Sequence, residues 1–363
     1  MSGENLEIRL GTLTPLWTGG VAAGKVDRIH ETGILGSLRW WYEAIVRGLG
    51  GEACDPSTGK CRFDGEAYEK SQADDERQRL RDAGLCDVCQ VFGATGWRRR
   101  FRLTILDNTT PDSSVESKAK ANRSYTDSRG TAHTPTWYFP NNPSDKPRSG
   151  NLILQIQSLA PSFSAEVIAG LVQFIADWAA LGARAQMGFG VIELEEGRVA
   201  THPLYDWVVP LADGERYPHL PSLRNIFLAR ITPKNGGQFS GQDTFNLKYD
   251  LRQLFASDQR LRHFIMGTVK GQRMAAKVKM SRRYDDGHLM RVWGWIPEQA
   301  DVYQNPWDRN AVVDAIYQHL STKYTLQAWR EMSSDRDTAT PDNKDARAFL
   351  RSLLGLEEEQ DAA

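Results

Sequence analysis

The stretch SAEVIAGLVQFIADWAALGARAQMGFGVIELE, residues 164–195, decides the fold. Ser164 is a helix-capping residue, and Glu166 puts an acid in the first turn, where the helix dipole favours it. Val167, Leu171, Phe174, Trp178 and Leu181 recur at three- and four-residue steps, one apolar stripe on a helix. Gly182 ends that helix, a glycine-rich loop runs to Gly190, and 191–195 reads as a strand. Working backward, 152–156 is a strand. Residues 97–105 form another, with Trp97, Phe101, Leu103 and Ile105 on one face and Arg98, Arg100 and Arg102 on the other. Ile34, Leu38, Trp41, Ile45 and Leu49 have helical spacing, and Leu6-Glu7-Ile8-Arg9-Leu10 alternates like a half-buried strand. The order is strand, helix, two strands, helix, strand, the βαββαβ pattern of a ferredoxin-like domain, expected over residues 1–200.

Working forward, the pattern repeats loosely, and a second ferredoxin-like domain is expected over 220–355. Residues 225–231 read as a strand, and 249–265 as a helix carrying Leu251, Leu254, Phe255 and Leu261. Residues 273–280 and 289–296 read as strands joined by the turn sequence Asp285-Asp286-Gly287. Asn305-Pro306 supplies a cap and a proline at the start of a helix bearing Val312, Val313, Ile316 and Leu320. No closing strand is legible after it, so the second half reads as permuted or incomplete. The fold class is α+β: two tandem ferredoxin-like, RRM-like domains with inserts, a charged one over 50–90 and a polar one over 108–150. A loop as long as the second is functional or disordered.

The chain has 363 residues, 40% hydrophobic and 25% charged, with a net charge of −1. That length holds two domains with real cores. No run approaches the roughly 20 apolar residues that span a bilayer. The start, Met1 to Leu6, lacks a basic-then-apolar signal, so a cytoplasmic protein without membrane partners is expected. A nucleic-acid binder with this charge must cluster its cations, because phosphate affinity comes from the Lys and Arg that touch it. The acidic runs Asp74-Asp75-Glu76 and Glu357-Glu358-Glu359 read as solvated surface.

Cys54, Cys61, Cys86 and Cys89 all fall within one insert-bearing segment. Cys86-Asp87-Val88-Cys89 is a C-x2-C knuckle, which presents two soft ligands from one tight turn. Structural zinc held by all four is the expectation. Free or partly paired thiols are the alternative, since the C-x6-C spacing of the first pair is looser.

Four segments look built for a polyanion. Gly33, Gly36, Ser37, Arg39 and Trp40 open a helix where glycines let a phosphate approach backbone N–H groups. The competing reading pairs Arg39 with Glu43 at i, i+4. The loop 182–190 has glycines that can line up backbone donors, or is a plain helix-to-strand turn. Arg98, Arg100 and Arg102 give a strand a basic face. Lys277, Lys279 and Arg283, with Trp293 and Trp295 on the returning strand, form a basic and aromatic sheet face of the kind that stacks bases. Those tryptophans alternatively pack on a neighbouring domain.

Six stretches carry a family likeness. The run Leu13-Thr14-Pro15-Leu16-Trp17-Thr18-Gly19-Gly20, with Gly36-Ser37-Leu38-Arg39-Trp40-Trp41-Tyr42-Glu43-Ala44, resembles the opening of the Cmr subunit-one family, within the RAMP superfamily, of type III-B CRISPR complexes. Cys86 to Gly93 resembles the superfamily's knuckle and Phe-Gly element, and 182–190 its glycine-rich loop. Lys277-Val278-Lys279-Met280-Ser281-Arg282-Arg283-Tyr284 and Arg291-Val292-Trp293-Gly294-Trp295-Ile296-Pro297 resemble that family's C-terminal half. The resemblance spans roughly 8–300. It implies guide-RNA binding near the 3′ end, packing against other RAMP subunits, target RNA as a further candidate ligand, and no catalysis. The residues carried as RNA contacts are Thr18, Arg28, Ser37, Arg39, Trp40, Arg98, Arg100, Arg102, Arg184, Gln186, Phe189, Lys277, Lys279, Arg282 and Arg283. Two other readings stand beside it: a RAMP-type endoribonuclease using Asp27 or His30, and a purely architectural subunit.

Overall fold

Alternating apolar residues pair the strands face to core, and helical stripes then cover one side of each sheet. The computed structural model describes residues 5–22, 25–55, 57, 61–115, 118–126, 129–138, 145–211, 217–269 and 271–356. Strand β1 (Asn5–Thr12) leads to helix α1 (Glu31–Leu49). The first insert carries α2 (Gly65–Lys70), α3 (Glu76–Asp82) and α4 (Asp87–Phe92). Then comes β2 (Phe101–Pro111). The second insert holds two small ladders, β3 (Lys118–Lys120) with β6 (Thr136–Tyr138) and β4 (Tyr125–Thr126) with β5 (Ala132–His133). Strand β7 (Arg148–Ser158), α5 (Glu166–Trp178), β8 (Ile192–Leu194) and α6 (His202–Val208) complete the first half.

The second half runs β9 (Ile226–Pro233), α7 (Asp243–Gln253), α8 (Gln259–Met266), β10 (Val278–Met280) and β11 (Met290–Trp295). Helix α9 (Arg309–Lys323), β12 (Tyr324–Arg330) and α10 (Ala346–Leu353) follow. The sheets are ordered β2-β7-β1-β8 and β10-β11-β9-β12, all antiparallel. Numbered within each half, both orders are 2-3-1-4. These are two ferredoxin-like sheets.

The second half therefore does have a closing strand, contrary to the sequence reading. Helix α9 runs into β12 at Lys323–Tyr324 with no glycine or proline between them, so no punctuation marks the change. Other boundaries also move. The expected helix over 249–265 is two helices, the second capped by Asp258, whose carboxylate accepts from Leu261 N–H at 2.9 Å. The expected strand over 273–280 is only Val278–Met280. Asn305 does not cap α9; Asp308 does, accepting from Ala311 N–H at 2.8 Å. Strand β2 starts at Phe101, so Trp97 to Arg100 never enter its alternation. The polar insert forms short ladders instead of one structureless loop, and Ala121 within it is buried. Gly24, Phe139 and Glu357 to Glu359 lie outside the described residues.

The two halves meet over one face of the second sheet. Phe227, Ala229, Ile231, Val278, Met280 and Val292 face that half's own helices. On the other face, Ile226, Leu228 and Trp293 join the first half's core, which also contains Leu38, Trp41 and Phe174. Trp293 is 2% exposed. Arg291, 5% exposed, donates across the seam to the carbonyl of Ala179 at 3.1 Å. The aromatic sheet face anticipated as a base-stacking surface is thus largely an interior seam. Helix α10, which the sequence reading left unassigned, returns to the first half: Phe349, Leu350 and Leu353 enter its core, and Trp178 Nε1 donates to the Leu353 carbonyl at 2.8 Å. No described helix is long and apolar enough to cross a membrane.

Trp293→Ala should therefore act on stability. We expect a loss of about 3–5 kcal/mol in denaturant unfolding, in the range for emptying a buried tryptophan site. RNA affinity of the folded fraction should be unchanged. A large affinity loss without a stability loss would return Trp293 to the binding surface.

Candidate nucleic-acid interface and cysteine centre

The glycine-rich loop lies in the seam. Gly188 has φ +87, and a Cβ there would stand 2.6 Å from the Arg282 backbone nitrogen. Arg282 N–H donates to the Gly188 carbonyl at 3.0 Å. Lys248 on α7 donates to the Gln186 carbonyl at 2.9 Å. On the other side, Ser37 on α1 donates to the Gly182 carbonyl at 3.0 Å, and Ala183 N–H to the Trp17 carbonyl at 2.7 Å. Arg184, in left-handed backbone (φ 56), lays its guanidinium 3.8 Å from the Trp17 ring and pairs with Asp145 at 3.0 Å. His30 N–H donates to the Thr18 hydroxyl at 3.0 Å.

Helix α1 presents Thr32, Gly36 and Trp40, at i, i+4 and i+8, along one edge beside the seam. Thr32 and Gly36 are exposed and Trp40 is half-buried. Gly33 abuts the Thr18 side chain, so packing explains it. A Cβ on Gly36 would meet nothing within 4 Å. On the facing strand β10, Lys279 places Nζ 5.1 Å from the Trp40 ring centroid. Lys277 places Nζ 3.5 Å from the Phe264 ring and 5.1 Å from the Trp295 ring. Thr18, Ser37, Trp40, Arg184, Gln186, Lys279 and Arg282 are thereby brought together by contacts along the seam between the halves.

Other sequence candidates fall elsewhere. Phe189 is fully buried with Phe245 and Val115, so it has no face for a base. Arg100 is 3% exposed and binds Glu76 at 3.2 Å, Ser162 at 2.8 Å and the Gln90 carbonyl at 3.2 Å. The expected basic face of Arg98, Arg100 and Arg102 does not form, because the chain is not extended strand before Phe101. Arg98 and Arg102 are exposed, Arg102 on the sheet face opposite the helices, with Thr104 beside it. Arg28 forks onto Glu31 at 2.9 Å, and Arg283 donates to the Phe239 carbonyl at 2.9 Å. Arg39 takes the intrahelical partner: Nε to Glu43 at 2.8 Å. It also donates to Cys89 Sγ at 3.3 Å. Lys248 carried no sequence signal, because its role depends on a partner 62 positions away.

The four cysteines converge. Cys54, Cys61, Cys86 and Cys89 place all four sulfurs within 4.8 Å of one another. None is in a disulfide. A tetrahedral ion with sulfur ligands at about 2.3 Å needs sulfur–sulfur edges of about 3.8 Å; Cys54 and Cys89 stand 3.7 Å apart. Backbone N–H groups of Cys54 and Cys86 point at Cys86 Sγ and Cys61 Sγ, at 3.4 and 3.5 Å. Hydrogen bonding with Cys54 pulls the Cys86 thiol down, while contact with Cys54 pushes Cys89 up. Four sulfurs this close cannot all be thiolate unless a cation joins them, and the set fits a thiophilic metal ion.

Asp27 and His30, read separately in the sequence, touch: Asp27 Oδ1 lies 2.7 Å from His30 Nε2. His30 thus has a partner that the sequence reading did not supply. The bond holds the Asp27 carboxyl below the ordinary carboxylate range.

The RAMP superfamily sequence profile matches residues 9–193. No curated protein matches the chain. Among solved structures, the chain is similar to Cmr1 of Pyrococcus furiosus in its apo form, at 13% identity over 89% of this chain and 98% of that one, TM-score 0.45. It is similar to a chain of type III-B Cmr-beta bound to cognate target RNA, at 11% identity over 88% of this chain and 100% of that one, TM-score 0.43. It is also similar to Cmr6 of Pyrococcus furiosus, at 14% identity over 53% of this chain and 97% of that one, TM-score 0.25.

The seam lysines generate a pH prediction. Burial pushes both Lys277 and Lys279 down to about 8. They are charged below that pH and neutral above it. Affinity of the full chain for a short RNA should fall between about pH 7 and about 9.5, and the slope of log affinity on log salt should shrink by about one to two. Lys279→Gln should remove about half of that change. A slope independent of pH would exclude these lysines from the contact.

Proposed function

The chain belongs to the RAMP superfamily, and on that premise we propose that it is a non-catalytic, RNA-binding subunit of a type III-B Cmr ribonucleoprotein. Its ligand is guide RNA near the 3′ end, with target RNA as a second candidate, and its partners are other RAMP subunits in the cytoplasm. Residues 1–200 and 220–355 are its two RAMP domains. The observation that carries this reading is the convergence of three elements at the seam. There the glycine-rich loop 182–190, the open edge of α1 and the lysines of β10 meet. Backbone amides and ring faces grip single-stranded RNA without reading its sequence. Base pairing by the guide then supplies specificity. The outer face of the first sheet, where Leu106 is exposed beside Arg102 and Thr104, is left for a neighbouring subunit.

Gly36 gives the sharpest test. An exposed glycine in mid-helix loses about 1 kcal/mol of stability relative to alanine, and nothing packs against this one. Room for a phosphate is the reason for it in this reading. Gly36→Ala should raise thermal stability and weaken RNA binding by about tenfold at constant salt. Stabilisation with unchanged affinity would remove α1 from the RNA contact.

The cysteine centre is proposed to hold structural zinc, through Cys54, Cys61, Cys86 and Cys89. Bound there, zinc would tie the two ends of the first insert, Cys54 and Cys61 before α2 and Cys86 and Cys89 at α4, and supply no chemistry to RNA. Elemental analysis should find about one zinc per chain. A value near zero, with four thiols titrating in the native protein, would overturn this.

The Asp27–His30 contact supports a second reading, a RAMP-type endoribonuclease. The carboxylate would orient the imidazole, which would take a proton from a 2′-hydroxyl. RNA cleavage by the purified chain, lost in Asp27→Ala or His30→Ala, would establish it in place of the first.

A further inference from the structure

Helix α1 carries Arg39, Glu43 and Arg47 at i, i+4 and i+8, so they stack on one face. Glu43 is 4% exposed and joins both arginines, to Arg39 Nε at 2.8 Å and to Arg47 Nη2 at 3.3 Å. Each arginine then leaves the helix for a different arm of the cysteine cluster. Arg39 Nη2 donates to Cys89 Sγ at 3.3 Å, and its Nη1 to the carbonyl of Gly93, just past the knuckle helix, at 3.4 Å. Arg47, 7% exposed, donates to the carbonyls of Cys54 at 2.9 Å and Ala53 at 3.3 Å. One helix face thus clamps both cysteine-bearing segments.

We infer that Arg39 is a positioning residue of the cysteine centre and not an RNA contact. With Glu43 and Arg47 it forms the outer charge shell of the metal. The inference rests on the reading that the four cysteines hold zinc. A divalent ion on four thiolates carries two excess negative charges. The ladder brings one net positive charge to it, and delivers that charge by a direct N–H···S bond to one ligand. Buried charge beside a thiolate centre needs such compensation. Glu43 keeps the two guanidinium groups from repelling each other and fixes their direction. The same geometry draws Arg39 away from the seam, since all three of its nitrogens have partners on the knuckle side or along the helix.

The test is metal release from the full zinc-loaded chain into excess chelator, followed with a chromogenic zinc indicator. Arg39→Gln removes the charge, and Arg39→Lys keeps it but loses the fork. Ile316→Ala, in the core of the second half, is the control for general destabilisation. Outer-sphere partners commonly change metal affinity by about 10–100-fold. Arg39→Gln should release zinc at least about tenfold faster than both wild type and Ile316→Ala, with Arg39→Lys between. Release of zinc from Arg39→Gln no faster than from Ile316→Ala overturns the inference and leaves the zinc reading intact. Absence of zinc from wild type overturns both. If Arg39→Gln fails to fold, Arg39→Lys carries the test: faster release than Ile316→Ala supports the assignment, and equal release overturns it.

Discussion

The second sheet has a bare apolar face, and the architecture follows from how that face is covered. A βαββαβ domain puts both helices on one side of its sheet. In the first half the other side carries Glu7, Arg9, Arg102 and Thr104, which water satisfies. In the second half it carries Ile226, Leu228 and Trp293, which water does not. Burying that side against the first half removes the surface on which RRM-like sheets commonly stack bases. It also puts the loop 182–190, strand β10 and the edge of α1 at one boundary. The proposed RNA site is built from both halves there, and α10 packs its apolar residues into the core of the first half.

The sequence was informative where one period ran uninterrupted. The stripe from Val167 to Trp178 and the alternation of Phe101, Leu103 and Ile105 gave the right elements and the right buried sides. It misled where an element ended without punctuation, as at the junction of α9 with β12. It also misled where spacing was extended past the real start of a strand, which put Arg100 on a surface when it lies inside. Convergence of the four cysteines was legible because a knuckle is a local pattern. The Asp27–His30 contact is close in sequence, yet it depends on how one turn folds. The contact of Lys248 with Gln186 depends on the tertiary fold alone.

The first insert shows how a local pattern becomes a global constraint. Cys54 and Cys61 lie on one side of α2 and α3, and Cys86 and Cys89 on the other, so gathering the sulfurs closes that excursion into a loop. The loop is then fastened to α1 by Arg39 and Arg47, and to itself by Arg81 on Asp87 at 2.8 Å. Helix α1 is therefore held from two directions, by the cysteine arms on one face and by the sheet on another. Its remaining edge, with Gly36 and Trp40, is the part left to meet the seam.

Counting cations overstates what this chain offers to RNA. Many arginines are internal struts: Arg100 with Glu76, Arg330 with Asp337, and Arg309 and Arg336 with the fully buried carboxylate of Glu331. A guanidinium held by a buried carboxylate cannot turn to a phosphate without leaving that carboxylate uncompensated, which is among the larger penalties a protein interior imposes. The lysines of β10 are placed differently. Lys277 and Lys279 lie against the rings of Phe264, Trp295 and Trp40, and desolvation has already weakened their hold on a proton. An approaching phosphate would favour the charged form that burial disfavours, so these lysines, charged below about pH 8, would hold their protons more firmly in a complex. If the chain binds RNA as proposed, then at a net charge of −1 its affinity must come from such local contacts, because long-range attraction supplies little of it.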